Sequence, residues 1–159
     1  MLNSRGPKQG RRLLLMNVMK STMLYGAPAW ANAMTVKTYR RRLETTYRLA
    51  ALRVCCGFRT ISDDAALVIA GMTPIDLLAH EAQRIYATKM ESAPNPAELK
   101  GVKAAARQES WDAWQLRWTN SIKGRWTFRL IPDLKMWLQR KHGEIWSPGE
   151  CGMHLVQER

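Results

Sequence analysis

The chain has 159 residues, of which 46% are hydrophobic, and a formal net charge of +12. This length supports one modest core with an extension and excludes two large independent domains. The charge favours a polyanion, most often nucleic acid, as the partner, with an acidic membrane surface as the rival, and three cysteines offer no disulfide framework of a secreted fold.

The positive charge is concentrated in the first third of the chain. Residues 1–53 contain eleven basic residues and a single acid, Glu44, whereas the remaining two thirds are nearly balanced. A basic start is also typical of mitochondrial transit peptides, but those are Ser-rich and this one continues into patterned helix. The longest apolar run near the start is too short to span a membrane.

The pattern of residues predicts an all-α fold, because hairpin turns and sustained period-two alternation are missing. After a basic leader (1–10), a first helix is expected over residues 11–25, and Gly26 and Pro28 disturb its end. A second helix is expected over 36–56, with Gly57 as its stop.

The second helix has the clearest pattern in the sequence. Apolar residues recur at steps of three and four, which predicts a buried seam of Val36, Tyr39, Leu43, Tyr47, Ala50 and Val54. Beside the seam lies a cationic stripe of Lys37, Arg40, Arg41 and Arg48, with Arg42 and Arg53 on the other flank. A solvated surface would look similar, but so many Arg residues with one acid favour phosphate contact, which we expect above all from Arg40, Arg41 and Arg48.

The rest of the chain also reads as helical. A short helix over 64–70 is expected to be capped by Ser62 or Asp63, and Thr73 and Pro74 to start another. After a break at 93–96, a helix over 97–119 places Trp111, Trp114 and Trp118 on one face, where core packing is favoured over base stacking. These features predict a helical domain (11–92), a less compact Trp-rich extension (93–145) and a divergent tail (146–159) that we expect to be disordered.

No catalytic or metal site is predicted. Asp63 and Asp64 resemble the paired carboxylates of a polymerase, but helix capping explains them and the β-hairpin that carries such a pair is missing. Cys151 and His154 supply two of the four ligands that a structural zinc ion needs. We therefore expect no cofactor.

Three stretches together resemble the region that follows the catalytic centre in LINE-type (non-LTR) retrotransposon reverse transcriptases, especially the arthropod class that inserts into ribosomal RNA genes. The first stretch contains Tyr25, Gly26 and Trp30 in Leu-Tyr-Gly-Ala-Pro-Ala-Trp. The second contains Arg59 and Thr60 in Phe-Arg-Thr-Ile-Ser. The third, from residue 114 to 144, contains Trp118, Trp126 and Trp137, and the resemblance stops after Glu144.

This resemblance implies a thumb and linker that hold a template–primer duplex of RNA and DNA by its phosphates. The palm, which would bind magnesium in the parent RNA-directed DNA polymerase, is expected to be missing, so no catalysis is expected from this chain. The first helix would then lack its palm partner, which predicts exposed Leu and Met and marginal stability. The resemblance also implies action in the nucleus, with cytoplasmic particle assembly, and no membrane partner. A free-standing basic nucleic-acid-binding module or a non-functional element remnant are the alternatives.

Overall fold

The structure, a computed structural model, describes residues 9–139. In this range it is helical without strands, so the all-α prediction is confirmed. The leader up to residue 8 and the tail with Cys151 and His154 lie outside the described residues. The described helices, in chain order, are α1 (Gln9–Met23), α2 (Ala27–Trp30), a 3-10 helix (Ala31–Thr35), α3 (Lys37–Cys55), α4 (Asp63–Ala70), α5 (Ile75–Ser92), α6 (Pro96–Asn120), α7 (Arg125–Leu130) and α8 (Leu134–Gln139).

A tight turn after α1 redirects the chain onto α5. Gly26 has a φ of 62°, a conformation that glycine adopts without steric cost, and the indole N–H of Trp30 donates to the Tyr25 carbonyl at 3.0 Å. The small side chains of Ala27, Ala31 and Ala79 are fully buried together. The turn therefore brings α2 into close contact with α5.

The C-terminal half of α3 forms the first core with α1, α4 and α5. Tyr47 and Val54 are buried, and the Tyr47 hydroxyl donates to the Thr73 carbonyl at 3.1 Å. The predicted seam is wrong at its start, because Val36 and Tyr39 are exposed. Burial is confined to the part of α3 that other helices cover.

The end of α3 also differs from the prediction. Cys56, and not Gly57, adopts the left-handed conformation that terminates the helix, with a φ of 52°. Gly57 lies close to neighbouring side chains: a Cβ there would lie 2.8 Å from Ile61 Cδ1. A larger residue at this position would require the Ile61 side chain to shift.

Residues beyond the predicted break at 93–96 are packed on the first part of the chain. Trp114 and Trp118 of α6 are buried against Ala65 and Val68 of α4, which confirms their predicted core role. The Trp118 indole N–H donates to the Ile131 carbonyl at 2.8 Å, which fixes the segment between α7 and α8. Described residues on both sides of this break thus contribute to the second core.

Arginine–carboxylate pairs join α5 to α6. Burial alone would raise the pKa of Asp76, but the hydrogen bonds and charge of Arg117, at 3.0 and 2.5 Å, outweigh it and hold this pKa below its ordinary value. Two further pairs lie along the same helices. The three pairs are Asp76–Arg117, Glu81–Arg107 and Arg84–Glu109.

Within the described range, no single helix is long and apolar enough to cross a membrane. Only α4 and α5 taken together reach the required length and hydropathy, and they are bent by 64° at the break between them.

Candidate nucleic-acid interface

Three cations of the first turns of α3 surround a solvent-exposed groove. Lys37, Arg41 and Arg42 are exposed, and none of them forms an ion pair within residues 9–139. Their groove has a volume of about 620 Å³. Threonine side chains complete its lining, namely Thr38, Thr45 and Thr46. The groove therefore presents uncompensated positive charge to solvent.

Arg53 extends this face along α3. Eleven residues are slightly more than three helical turns, so Arg53 returns to the side of Arg42 about 16 Å further along the helix axis. Arg53 is exposed and lines a second groove, of about 390 Å³, between α1 and α3. We call Lys37, Arg41, Arg42 and Arg53 the α3 cationic face.

Two of the arginines predicted to contact phosphate are engaged with the chain itself. The Arg48 side chain is only 21% exposed; it donates to the Arg59 and Ile61 carbonyls at 2.7 and 2.8 Å and pairs with Asp63. Arg40 pairs with Glu44 at 3.4 Å in the exposed i, i+4 geometry. The expectation that Arg40, Arg41 and Arg48 form one open row is therefore corrected: Arg48 holds the loop after α3, and Arg40 has a local counter-charge.

The residues that carry the family resemblance fall into two groups. Gly26 forms the turn before α2, and Trp30, the last residue of α2, donates back to that turn. Trp118 lies in the second core, and the Trp137 indole N–H donates to the Val68 carbonyl at 2.8 Å. These residues have structural roles. The other group is solvent-exposed: Tyr25, Arg59, Thr60 and Trp126.

A cleft of about 860 Å³ lies where the second and third stretches of the family resemblance meet. Thr60 and Ser62 line it from the loop before α4, and Lys123, Gly124 and Thr127 line it from the start of α7. Gly124 has a φ of 75°, and a Cβ there would lie 2.7 Å from Ser62 Oγ. The two loops are thus in direct contact, an arrangement that local sequence patterns do not reveal.

Charged groups inside the cleft are balanced. Arg48, Arg117 and Lys123 line it together with Glu44, Asp63 and Asp64. Burial, and secondarily the charge of Asp76, raises the pKa of Glu44. The cleft is consequently polar but has no excess of either sign.

Asp63 and Asp64 do not fit a pair of magnesium ligands. The Asp63 carboxylate faces Arg48, and the Asp64 carboxylate accepts a hydrogen bond of 2.7 Å from the Ser121 hydroxyl. No group of three His, Cys, Asp or Glu side chains within the described range could hold a metal ion. We derive no step through magnesium from these residues.

Fold and charge distribution together define a basic all-α protein with a cationic helix face. Comparison with known proteins identifies three that are similar to this chain. It is 29% identical over 137 residues to a retrovirus-related Pol polyprotein from the type-1 retrotransposable element R1 2 of Nasonia vitripennis, covering 74% of this chain and 32% of that protein. It is 28% identical over 144 residues to the Pol polyprotein of element R1 of the same species, covering 80% and 40%.

A third relative is the putative 115 kDa protein in the type-1 retrotransposable element R1DM of Drosophila melanogaster. It is 30% identical over 138 residues, covering 78% of this chain and 13% of the relative. The chain is thus a non-LTR retrotransposon-related protein that spans less than half the length of these relatives. No family model matches the chain. No solved structure matches it either.

Proposed function

We propose that this chain is the thumb and linker of a retrotransposon RNA-directed DNA polymerase, and that its α3 cationic face holds the template–primer duplex by its phosphates. The observation that supports this most is a group of three cations without ion pairs that line one groove. Arginines of α5 and α6 are matched with carboxylates, while Lys37, Arg41 and Arg42 have none. Cations without an internal partner are the ones free to replace the counterions of a nucleic acid.

Phosphate contact agrees with the chemistry of this face. Guanidinium groups donate in a planar fork that matches phosphate oxygens, and contacts of this kind position a duplex without reading its sequence. The C-terminal half of α3 is anchored in the core through Tyr47 and Val54. The helix therefore presents its first turns on a fixed support.

Catalysis belongs, in this proposal, to another part of the parent polyprotein. The only adjacent carboxylates among the described residues, Asp63 and Asp64, have local partners in Arg48 and Ser121. We assign this chain no enzymatic activity and no cofactor of its own. Its site of action would be the nucleus, where the target DNA is.

A palm domain is the proposed protein partner, and α1 the surface that meets it. One face of α1 packs on the core through Met16, whereas Leu14, Leu15 and Val18 are exposed. Adjacent exposed apolar residues indicate an interaction surface. The relatives contain most of their length outside the matched region, which leaves room for such a domain.

The test is the salt dependence of binding to a short RNA–DNA hybrid by the full chain. For B-DNA, each lost phosphate contact lowers the slope of log affinity against log salt by about 0.9, so Lys37→Ala/Arg41→Ala/Arg42→Ala should lower it by about 2.7. Fluorescence anisotropy at several salt concentrations measures this slope.

A matched triple variant separates this surface from net charge. Lys89→Ala/Lys100→Ala/Lys103→Ala removes the same charge from exposed positions on α5 and α6. It should leave the slope nearly unchanged, as should Arg48→Ala, whose guanidinium is engaged internally. Equal slopes for the two triple variants would contradict a specific role for α3.

A further inference from the structure

Two large exposed aromatic side chains lie next in sequence to residues of the 860 Å³ cleft, one on the loop before α4 and one in the first turn of α7. Phe58 is 76% exposed and Trp126 is 73% exposed. Both are close in sequence to cleft-lining residues: Phe58 lies two positions before Thr60, and Trp126 lies next to Thr127. Aromatic surface of this size is usually buried in a protein core or an interface.

Cations accompany both aromatics. Arg59 and Lys123 are exposed, and neither forms an ion pair within residues 9–139. Arg125 is held in place, since it donates to the Thr119 carbonyl at 3.0 Å and lies 4.1 Å from the centre of the Phe128 ring. Arg59 and Arg125 therefore add positive charge outside the lining of the cleft, whereas Lys123 belongs to the balanced set of charges that line it.

We infer that this cleft binds single-stranded nucleic acid, with unpaired bases stacked on Phe58 and Trp126 and phosphates near Arg59 and Lys123. A balanced polar cleft has no attraction for phosphate, but its threonine and serine hydroxyls can hydrogen bond to the edges of neutral bases. Its volume, about 860 Å³, lies in the range of pockets that hold small organic ligands.

The aromatics distinguish a single strand from a duplex. In a duplex the faces of the bases are covered by their neighbours, so an exposed ring can stack only on bases that have left the helical stack. The α3 cationic face has the opposite character, with cations and hydroxyls but no aromatic side chain lining its first groove. This inference does not depend on the function proposed for α3.

The experiment compares binding of a fluorescein-labelled oligouridine and of the RNA–DNA hybrid to the full chain. Stacking is worth about 1 kcal/mol or more per base, so Phe58→Ala and Trp126→Ala should each weaken oligouridine binding about five-fold or more. The same variants should change hybrid binding less than two-fold. Circular dichroism verifies that each variant retains its helices.

One control variant and two further measurements test the location of the site. Tyr86→Ala removes an exposed aromatic from α5, away from the cleft-lining residues, and should leave oligouridine affinity unchanged. Arg59→Ala/Lys123→Ala should lower the salt slope for the single strand by about 1.4, the value for two contacts. An oligonucleotide carrying 5-iodouridine should crosslink to peptides that contain residues 58 and 126.

The outcomes for the two sites are distinguishable. If Phe58→Ala and Trp126→Ala leave oligouridine affinity unchanged, or if crosslinks are confined to α3, the single-strand site is overturned. The duplex proposal would remain. An equal loss of single-strand and hybrid binding in the aromatic variants would overturn it as well. Failure of the α3 triple variant to alter hybrid binding would contradict the duplex proposal alone.

Discussion

Replacing Asp76 by Asn tests whether the α5–α6 pairs stabilise the fold. Asp76 is only 5% exposed and accepts two hydrogen bonds from Arg117. The substitution preserves the size of the side chain and removes its charge. Arg117 would then be left beside a neutral amide between two packed helices.

The expected cost follows from the burial of the two partners. Breaking a fully buried ion pair by removing one charge costs about 3–5 kcal/mol. The Arg117 side chain is 36% exposed and can regain some hydration, so we expect a smaller loss of roughly 2–3 kcal/mol in the free energy of unfolding. That is a large part of the total stability of about 5–15 kcal/mol for a domain.

The effect also has a defined pH dependence. Because the pKa of Asp76 is lowered in the folded state, its contribution is fully present above the ordinary value of 3.8 and is lost as pH falls through the lower folded pKa. The difference between the original chain and Asp76→Asn should therefore disappear in strong acid. It should be constant near neutral pH.

Urea unfolding followed by circular dichroism at several pH values measures both quantities. Asp112→Asn serves as control, since this exposed carboxylate of α6 accepts only a hydrogen bond from Gln108. It should change stability by about 0.5 kcal/mol or less. If Asp76→Asn has the same small effect as Asp112→Asn, the pair does not stabilise the fold and this reasoning is wrong.

Two further substitutions probe the second core and the contact between the loops. Trp118→Phe should lower the free energy of unfolding by about 1–3 kcal/mol, because the Ile131 carbonyl loses its buried donor. A denaturation midpoint equal to that of the original chain would show that this hydrogen bond does not stabilise the fold. Gly124→Ala should lower the free energy of unfolding by about 1–3 kcal/mol, because the new side chain combines a φ of 75° with a contact of 2.7 Å to Ser62. Gly101→Ala has open space around it inside α6 and should raise the free energy of unfolding by about 0.5–1 kcal/mol. Thermal unfolding that ranks these two variants in the opposite order would refute the contact.

Most helices were predicted correctly from local sequence patterns, because caps and apolar periodicity involve residues that are close together in the chain. Ser62 caps α4 by accepting from the Ala65 N–H, as expected, and Gly71 follows that helix in the left-handed conformation. The start of α5 was predicted one residue too early, since Pro74 is the cap and Ile75 the first helical residue. The short helices α2 and α7 were not predicted, because four to six residues give too little periodicity to recognise.

The candidate sites were harder to predict from the sequence, because each is formed by residues that are far apart in the chain. Helical periodicity placed Arg41 and Arg48 on one stripe, but it does not show that the loop after α3 folds back over Arg48. The proposed single-strand site similarly depends on the contact of Gly124 with Ser62, sixty-two positions earlier. Exposure of Trp126 was not predicted either, since the resemblance gave it only a structural role.

Because the ion pairs and the α3 cationic face differ in exposure, fold stability and polyanion binding should respond differently to ionic strength. Mobile ions screen exposed charges far more effectively than partly buried ones. The pair between Asp76 and Arg117 lies between two helices, whereas the α3 cationic face is open to solvent. Moderate salt should thus release a bound polyanion while the helices stay assembled, so this protein could be eluted from a heparin or phosphocellulose column in its native state.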